Sequence, residues 1–212
     1  MKLSIITINL NNSSGLRKTI VSVLTQTSHD FEFIVVDGAS TDGSVELIQS
    51  FDFCNLHSFQ WISETDLGIY NAMNKGIRMA KGEYVHFLNS GDWLVDENVV
   101  ENMLKRLDNN DIFIGNVISV RTDGKIRLKK NIKEVSLMTF YGSTLEHTSA
   151  YIRKVLFEKY GLYDENLKIV SDWKWYLVVA GLNNAKVGFT DIYVTCFDTT
   201  GISSTNSSLE KL

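Results

Sequence analysis

Several things are scarce in this sequence, and each absence narrows the reading. There are two cysteines, Cys54 and Cys196, far apart and outside any CxxC or CxxH spacing. That argues against a zinc site and reads as two inert thiols in a reducing compartment. Proline is absent altogether, which is unusual and carries no functional reading. No apolar run is long enough to span a bilayer. The formal net charge of −4 lacks the basic excess that general nucleic-acid binding needs. The opening MKLSIITINL has one lysine, a short apolar stretch and no small-residue cleavage site after it, so it reads as a first strand rather than a signal peptide. A cytoplasmic globular protein is the expectation, and 44% hydrophobic with 22% charged residues is ordinary for one.

The length of 212 residues favours one domain. Strand and helix alternate through the first third: a strand at Leu3–Ile8, a helix capped by Ser13 or Ser14, and a buried strand at Phe31–Val36. A polar loop and a helix from Ser44 follow, then a short strand at 59–62. Ile69–Ala80 is the clearest helix, with Ile69, Ala72, Met73, Gly76, Ile77 and Ala80 on one face and Gly82 as its stop. Tyr84–Leu88 then reads as a strand buried on both faces. This order predicts a doubly wound, mainly parallel sheet. Later come a helix at Val99–Leu107, a strand at Ile112–Val120, and an Asp123-Gly124 turn that folds Lys125–Ile132 back antiparallel. A short helix at Glu134–Phe140, a strand at Thr148–Ile152 and a helix at Lys154–Tyr160 lead to a helix capped by Ser171 and running to about Ala180. Two short strands, near 186–189 and 192–197, precede a Ser/Thr-rich tail.

The abrupt change from Tyr84–Leu88 into Asn89-Ser90-Gly91-Asp92 places four polar or turn-forming residues at a strand's carboxyl end, where open α/β sheets bind ligands. Gly91 permits a sharp turn or a close ligand, and Asp92 can hold a hard cation on oxygen; a plain β-turn would use the same residues. Asp37 ends the second strand and can accept hydrogen bonds from a nucleobase or ribose, or serve only an Asx turn. Asp66 can cap the clear helix at its positive end, and Lys75 can face solvent or a phosphate. Asp172 falls in a first helical turn, where the helix dipole favours the ionised form that suits a base. His147, alone before a strand pattern, reads first as a structural histidine. Residues 121–133 gather Arg121, Lys125, Arg127, Lys129, Lys130 and Lys133 against Asp123, either as a soluble hairpin surface or as a contact for an anionic membrane or lipid diphosphate.

Taken together, IITINLNN, VVDGASTDGS, ETDLGIYNAMNKGIRMAKGEYVHFLNSGD, HTS, GLYDENLKIVSDW and GISS resemble the family 2 glycosyltransferases of GT-A-type fold, in their bacterial surface-polysaccharide branch. The resemblance covers essentially the whole chain. It implies an α/β, Rossmann-like fold with a mixed, mostly parallel central sheet flanked by helices. Residues 1–92 would form the nucleotide-sugar half and 93–212 the acceptor half. Asp37 matches the base-binding aspartate. Asn89-Ser90-Gly91-Asp92 stands where most members carry Asp-x-Asp, leaving Asp92 as the metal ligand. Asp66, Lys75, Asn89, Gly91 and Leu10 complete the implied donor site. Leu10 replaces a common tyrosine, and Met73 a common arginine, which leaves Lys75 as the nearer cation. Asp172, in SDW, matches the catalytic base. His147 is assigned to the acceptor side, and Gly201-Ile202-Ser203-Ser204 to a loop near the diphosphate.

The implied activity is inverting transfer of a sugar from a nucleotide-diphosphate sugar, a UDP-sugar first, to a saccharide or lipid-linked saccharide in polysaccharide biosynthesis, with Mg²⁺ or Mn²⁺. The rivals are an inactive nucleotide-sugar-binding module and a nucleotidyltransferase. The second is disfavoured because the first loop, Asn9 to Arg17, has one glycine and one arginine. The chain ends soon after GISS, so a carboxyl-terminal anchor is expected to be short or missing. Membrane recruitment would then rest on the basic hairpin or a partner. A homodimer is also compatible with the sequence.

Overall fold

The structure is a computed structural model that describes residues 1–107, 110–121, 123–132 and 134–198. Its first half follows the expected alternation: β1 (Leu3–Asn9), α1 (Ser13–Leu24), β2 (Phe31–Asp37), α2 (Ser44–Ser50), β3 (Ser58–Ser63), α3 (Ile69–Met79) and β4 (Tyr84–Phe87). The four strands pair in the order β3-β2-β1-β4, all parallel. β1 and β2 are buried along their whole length, as a sheet covered by helices on both faces requires. Ile6, Ile8, Ile34 and Val36 point to one face with α3, while Leu3, Ile5, Phe31, Phe33 and Val35 point to the other with α1. α1 is capped by Asn12, not by Ser13 or Ser14: the Asn12 side chain accepts from Gly15 N. Asparagine is as good an N-cap as serine, so composition alone does not separate the three.

The second half brings β5 (Trp93–Leu94), α4 (Val99–Leu104), β6 (Ile112–Val120), β7 (Ile126–Lys129), α5 (Thr139–Gly142), a 3₁₀ turn at His147–Ser149, β8 (Ala150–Arg153), α6 (Val155–Tyr160), α7 (Ser171–Tyr176), a π-helical segment at Leu177–Leu182, and β9 (Val187–Asp198). These strands extend the same sheet as β4-β8-β6-β9-β5, with β7 on the edge of β6. β8 runs antiparallel to β4 and β6, while β9 is parallel to β6. The Asp123-Gly124 hairpin forms as expected, but β7 is shorter than Lys125–Ile132.

Other differences have local causes. The expected strand pair near 186–189 and 192–197 is one bent strand, whose register against β6 shifts around Asn116. Asn116 Nδ2 donates to Asp191 O at 3.0 Å, satisfying the backbone at the bend. The short helix expected at Glu134–Phe140 begins only at Thr139, and the strand expected from Thr148 begins at Ala150 after the 3₁₀ turn. Val170, not Ser171, holds the N-cap position of α7, and the Ser171 hydroxyl is buried with no partner among the described residues. No helix among the described residues is long and apolar enough to cross a membrane.

Candidate active site

The parallel register sets Asn9, Asp37 and Ser63 side by side at the carboxyl ends of β1, β2 and β3. Asn9 Nδ2 donates to Asp37 Oδ1 at 2.8 Å. Ser63 Oγ and Ser40 N donate to Oδ2 at 2.7 and 2.9 Å. Burial pushes the Asp37 carboxyl up, but the bonds from Ser40, Ser63 and Asn9 outweigh it and hold the group below its ordinary value. Asp37 is thus ionised and wholly enclosed, and it fixes the loop above it. In that loop Gly38 lies against both Leu10 Cδ1 and Asp66 Oδ2, so Leu10, Gly38 and Asp66 converge over Asp37. Leu10 is 61% exposed, an open apolar surface over the sheet.

Asp66 does not cap α3, whose N-cap is Gly68 with no side-chain bond. It pairs instead with Lys75 at 2.6 Å. Lys75 also reaches Glu64 at 3.0 Å and Thr65 O at 3.0 Å. Burial lowers the ammonium's proton affinity, but the two carboxylates outweigh it and raise it, so Lys75 is a fixed cation. Lys75 faces neither open solvent nor a bare phosphate position. A phosphate would have to compete with two carboxylates for it.

Asn89-Ser90-Gly91-Asp92 folds onto the start of α1. Asn12 Nδ2 donates to Ser90 O at 3.1 Å and Ser90 Oγ at 3.2 Å. Gly91 takes φ +105°, a conformation that a side chain would strain, and its N–H donates to Thr19 Oγ1 at 3.0 Å. Thr19 in turn donates to Asp92 O at 2.7 Å. The Asn89 Oδ1 atom is buried without a partner among the described residues. Asp92 is buried as well, and its Oδ1 accepts from Asp198 N at 3.0 Å. Burial pushes its carboxyl up to about 7; the Asp198 backbone bond and the Lys18 charge only partly oppose this. Lys18 lies 3.6 Å from Asp198 Oδ2 and over the Trp93 ring.

Among the described residues no group of three or more His, Cys, Asp or Glu gathers to hold a metal, so a cage made of protein alone is not present there. The chemistry still fits a hard cation shared with a substrate. Asp92 and Asp198 offer oxygen ligands, Mg²⁺ commonly takes only one or two carboxylates beside waters and phosphates, and a bound cation offsets the cost of ionising a buried acid.

The residues expected on the acceptor side form a second group. Tyr70, in α3, places its hydroxyl between the Ile169 carbonyl and Asp172 Oδ1, the latter at 2.9 Å. Asp172 is half-buried at the start of α7. His147 is also half-buried; its Nε2 lies 2.9 Å from the Tyr163 hydroxyl and its ring stacks on Phe87 at 5.0 Å. The packing around His147 pushes it toward the neutral form, and the Asp172 charge partly offsets this. His147 and Asp172 are therefore electrostatic neighbours beside the end of β4. Two asparagines complete the group. Asn71 Nδ2 and Asn74 Nδ2 donate to the two oxygens of Glu165 at 2.7 and 2.8 Å, and Asn74 also exchanges bonds with the Tyr163 backbone at 2.9 and 3.1 Å.

The expected residues therefore fall into three clusters: Leu10, Asp37, Asp66 and Lys75; Asn89, Gly91 and Asp92; and His147 with Asp172. Tyr70, Asn74, Glu165 and Asp198 were not anticipated. The i,i+4 spacing of Tyr70 and Asn74 on one helix face was the available signal. Lys133 and the Gly201–Ser204 loop lie outside the described residues.

Residues 4–163 match the family described as "Glycosyl transferase family 2". A PGL/p-HBAD biosynthesis glycosyltransferase of Mycobacterium bovis is 29% identical over 178 residues, covering 80% of this chain and 66% of that protein. An uncharacterised glycosyltransferase of Mycobacterium tuberculosis is 31% identical over an alignment of 214 residues, covering 95% of this chain and 76% of that one. Among solved structures, Staphylococcus aureus TarS 1–349 in complex with UDP-GlcNAc superposes with a TM-score of 0.77 at 19% identity, over 95% of this chain and 59% of that one. The mannosyltransferase PcManGT from Pyrobaculum calidifontis, with GDP-Man and Mn²⁺, gives 0.70 at 18%, over 92% and 56%. These likenesses show the fold, a mixed α/β sheet of GT-A type. The chain spans about two thirds of the length of the M. bovis relative and less of the two solved structures.

Proposed function

The chain belongs to glycosyl transferase family 2, and we propose that it transfers a sugar, with inversion, from a nucleotide-diphosphate sugar to a hydroxyl of a lipid-linked carbohydrate acceptor in polysaccharide biosynthesis. The observation that carries this is the placement of a half-exposed carboxylate, Asp172, against Tyr70 on the helix that also bears the Asp66–Lys75 pair. A proton acceptor and the expected donor end are thus joined through one rigid element.

In this reading the base and ribose lie over Leu10 and Gly38, where Asp37 fixes the loop and Asp66 borders it. UDP-sugars are the first donors to try, since UDP-GlcNAc is bound in TarS, and GDP-mannose is the second, from PcManGT. Mg²⁺ or Mn²⁺ would be held by Asp92 and Asp198, and when bound it would supply Lewis-acid stabilisation of the departing diphosphate. Asp172 takes the proton of the acceptor hydroxyl as that oxygen bonds to the anomeric carbon and the anomeric carbon–oxygen bond to the diphosphate breaks.

Tyr70 suits both states of this base. A hydroxyl carries one donor hydrogen and accepts through its lone pairs. While Asp172 is ionised, the Tyr70 proton bonds to it. Once Asp172 has taken the acceptor's proton, it can donate to Tyr70 Oη, and the tyrosine proton turns to the Ile169 carbonyl. Half-buried and bonded to Tyr163, neutral His147 would help to orient the acceptor.

A thermal-shift screen with UDP-, GDP- and dTDP-sugars plus Mn²⁺ identifies the donor, because selective binding raises apparent stability. With that donor, Asp172→Asn is expected to lose about 10²–10⁴-fold in turnover while donor binding survives. Near-normal turnover of the variant would remove Asp172 as the base. Donor binding by the parent protein with no turnover across acceptors would favour a binding module instead.

A further inference from the structure

The β6–β7 ribbon takes no part in that chemistry, yet its surface is unlike the rest of the chain. Its register pairs Ile118 with Leu128 and Val120 with Ile126. Strand alternation puts these four apolar side chains on one side of the ribbon. Ile126 is 67% and Leu128 60% exposed, and Ile118 and Val120 are half-buried, so the patch stands open. The same alternation turns Arg121, Lys125, Arg127 and Lys129 to the opposite side, with Lys130 following Leu128 at the end of the strand; all five are exposed, against the single acid Asp123. Asp123 is shared by Arg121 at 3.6 Å and Lys125 at 3.4 Å. The ribbon is strongly cationic in a chain whose formal net charge is −4.

Charges alone would be explained by the need to keep an edge strand from pairing. Two exposed branched apolar side chains beside them are not explained that way. A nucleic acid would use the cations and leave the apolar patch idle. A second copy of the chain would set this cationic ribbon against itself. An anionic bilayer satisfies both features of such an amphipathic ribbon lying in its interface: the apolar side enters the acyl boundary, and the long basic side chains of the other side reach the surrounding headgroups.

We propose that the β6–β7 ribbon docks this protein onto an anionic phospholipid surface. The ribbon is tied to the candidate site, because Lys129 pairs with Glu146, the neighbour of His147. Docking therefore presents the acceptor side of the site to the bilayer, where, on the reading above, a lipid-carried hydroxyl arrives.

The test needs no sugar and no turnover, so it stands apart from any failure of the proposed reaction. The full chain is sedimented with phosphatidylcholine vesicles with and without phosphatidylglycerol, at low and high salt. Binding is expected only with phosphatidylglycerol, and weaker in salt. Arg127→Glu with Lys130→Glu should weaken it roughly tenfold or more. Ile126→Ser with Leu128→Ser should weaken it several-fold while leaving a salt-sensitive remainder. All four side chains are exposed, so thermal midpoints should match the parent, and each pair tests the surface independently of the other. Equal binding to both vesicle types, or binding that neither pair alters, would overturn the proposal. So would a concentration-dependent dimer, seen in sedimentation without lipid, that the same variants dissolve.

Discussion

His86 offers a quantitative check on the packing beside the site. It lies in β4, fully buried, with Nδ1 facing Ala150 O at 3.1 Å and its ring stacked on Tyr151 at 4.5 Å and 7°. Its Nε2 has no partner among the described residues. Burial pushes its pKa down to about 4 from an ordinary 6.5; the Ala150 bond opposes this, and the neighbouring His147 adds a little to it. A histidine whose folded pKa is depressed binds protons better when unfolded. Its stabilising contribution is therefore whole above pH 6.5 and is lost as pH falls toward 4. Linkage over that window gives a loss of about 2 kcal/mol at pH 5 and about 3 kcal/mol at pH 4 relative to pH 8. Many other groups titrate there, so the informative quantity is a difference. His86→Phe keeps a ring on Tyr151 and removes the titration. Urea unfolding of both proteins at pH 8 and pH 5 should show the parent losing about 2 kcal/mol more than the variant. The cost of the lost Ala150 contact, being independent of pH, cancels. Parallel stability curves for the two proteins would refute a neutral, enclosed imidazole at this position.

Three further outcomes follow from the site. Asp92→Ala should abolish the Mn²⁺-dependent part of nucleotide binding in calorimetry, while metal-free binding persists; equal heats with and without Mn²⁺ in the parent would reduce Asp92 to a turn residue. Tyr70→Phe should lower kcat roughly tenfold with the donor KM unchanged, since it removes one hydrogen bond to the proposed base, which would act in the transition state; a change confined to thermal stability would make Tyr70 structural only. Gly76→Ala should cost about 1–3 kcal/mol in denaturant unfolding despite alanine's better helix propensity, because its Cβ would overlap the branched Ile6 side chain.

The strand–helix order was legible because periodicity is local: seven-residue apolar strands and a clean helical face declare themselves within a window. The carboxyl-end placement of Asp37 and of Asn89 to Asp92 followed from that order and the rule for open sheets. What could not be read depends on partners distant in sequence. The enclosure of Asp92 rests on Asp198, 106 residues away, and the hold on Asp172 rests on Tyr70, 102 residues away. Lys75 could be read only as facing solvent or a phosphate, because nothing in its spacing shows that Glu64 and Asp66 turn back toward it. The bend in β9 looked like a break because Asp191 is a poor strand former, and the side chain that repairs the backbone there, Asn116, belongs to another strand.

These long-range contacts also change what α3 is for. In the sequence its motif reads as a donor-binding signature, centred on Asp66 and Lys75. In the structure those two residues satisfy each other, and the helix spends its other polar side chains on the opposite half. Tyr70 holds Asp172, while Asn71 and Asn74 grip Glu165 and the Tyr163 backbone. Gly76 lets the helix lie directly on Ile6 of β1, so it has little freedom to slide along the sheet. Asp172, carried on a loop-borne helix of six residues, would otherwise wander relative to the strand ends. Tyr70 holds Asp172 itself, while Asn71 and Asn74 hold the segment that precedes its helix, so Asp172 keeps a fixed relation to β1 and β2; in the proposed reaction an in-line attack on a donor over those strands would demand that relation. The dense run of polar residues in this motif is accounted for by that alignment as much as by any contact with the donor itself.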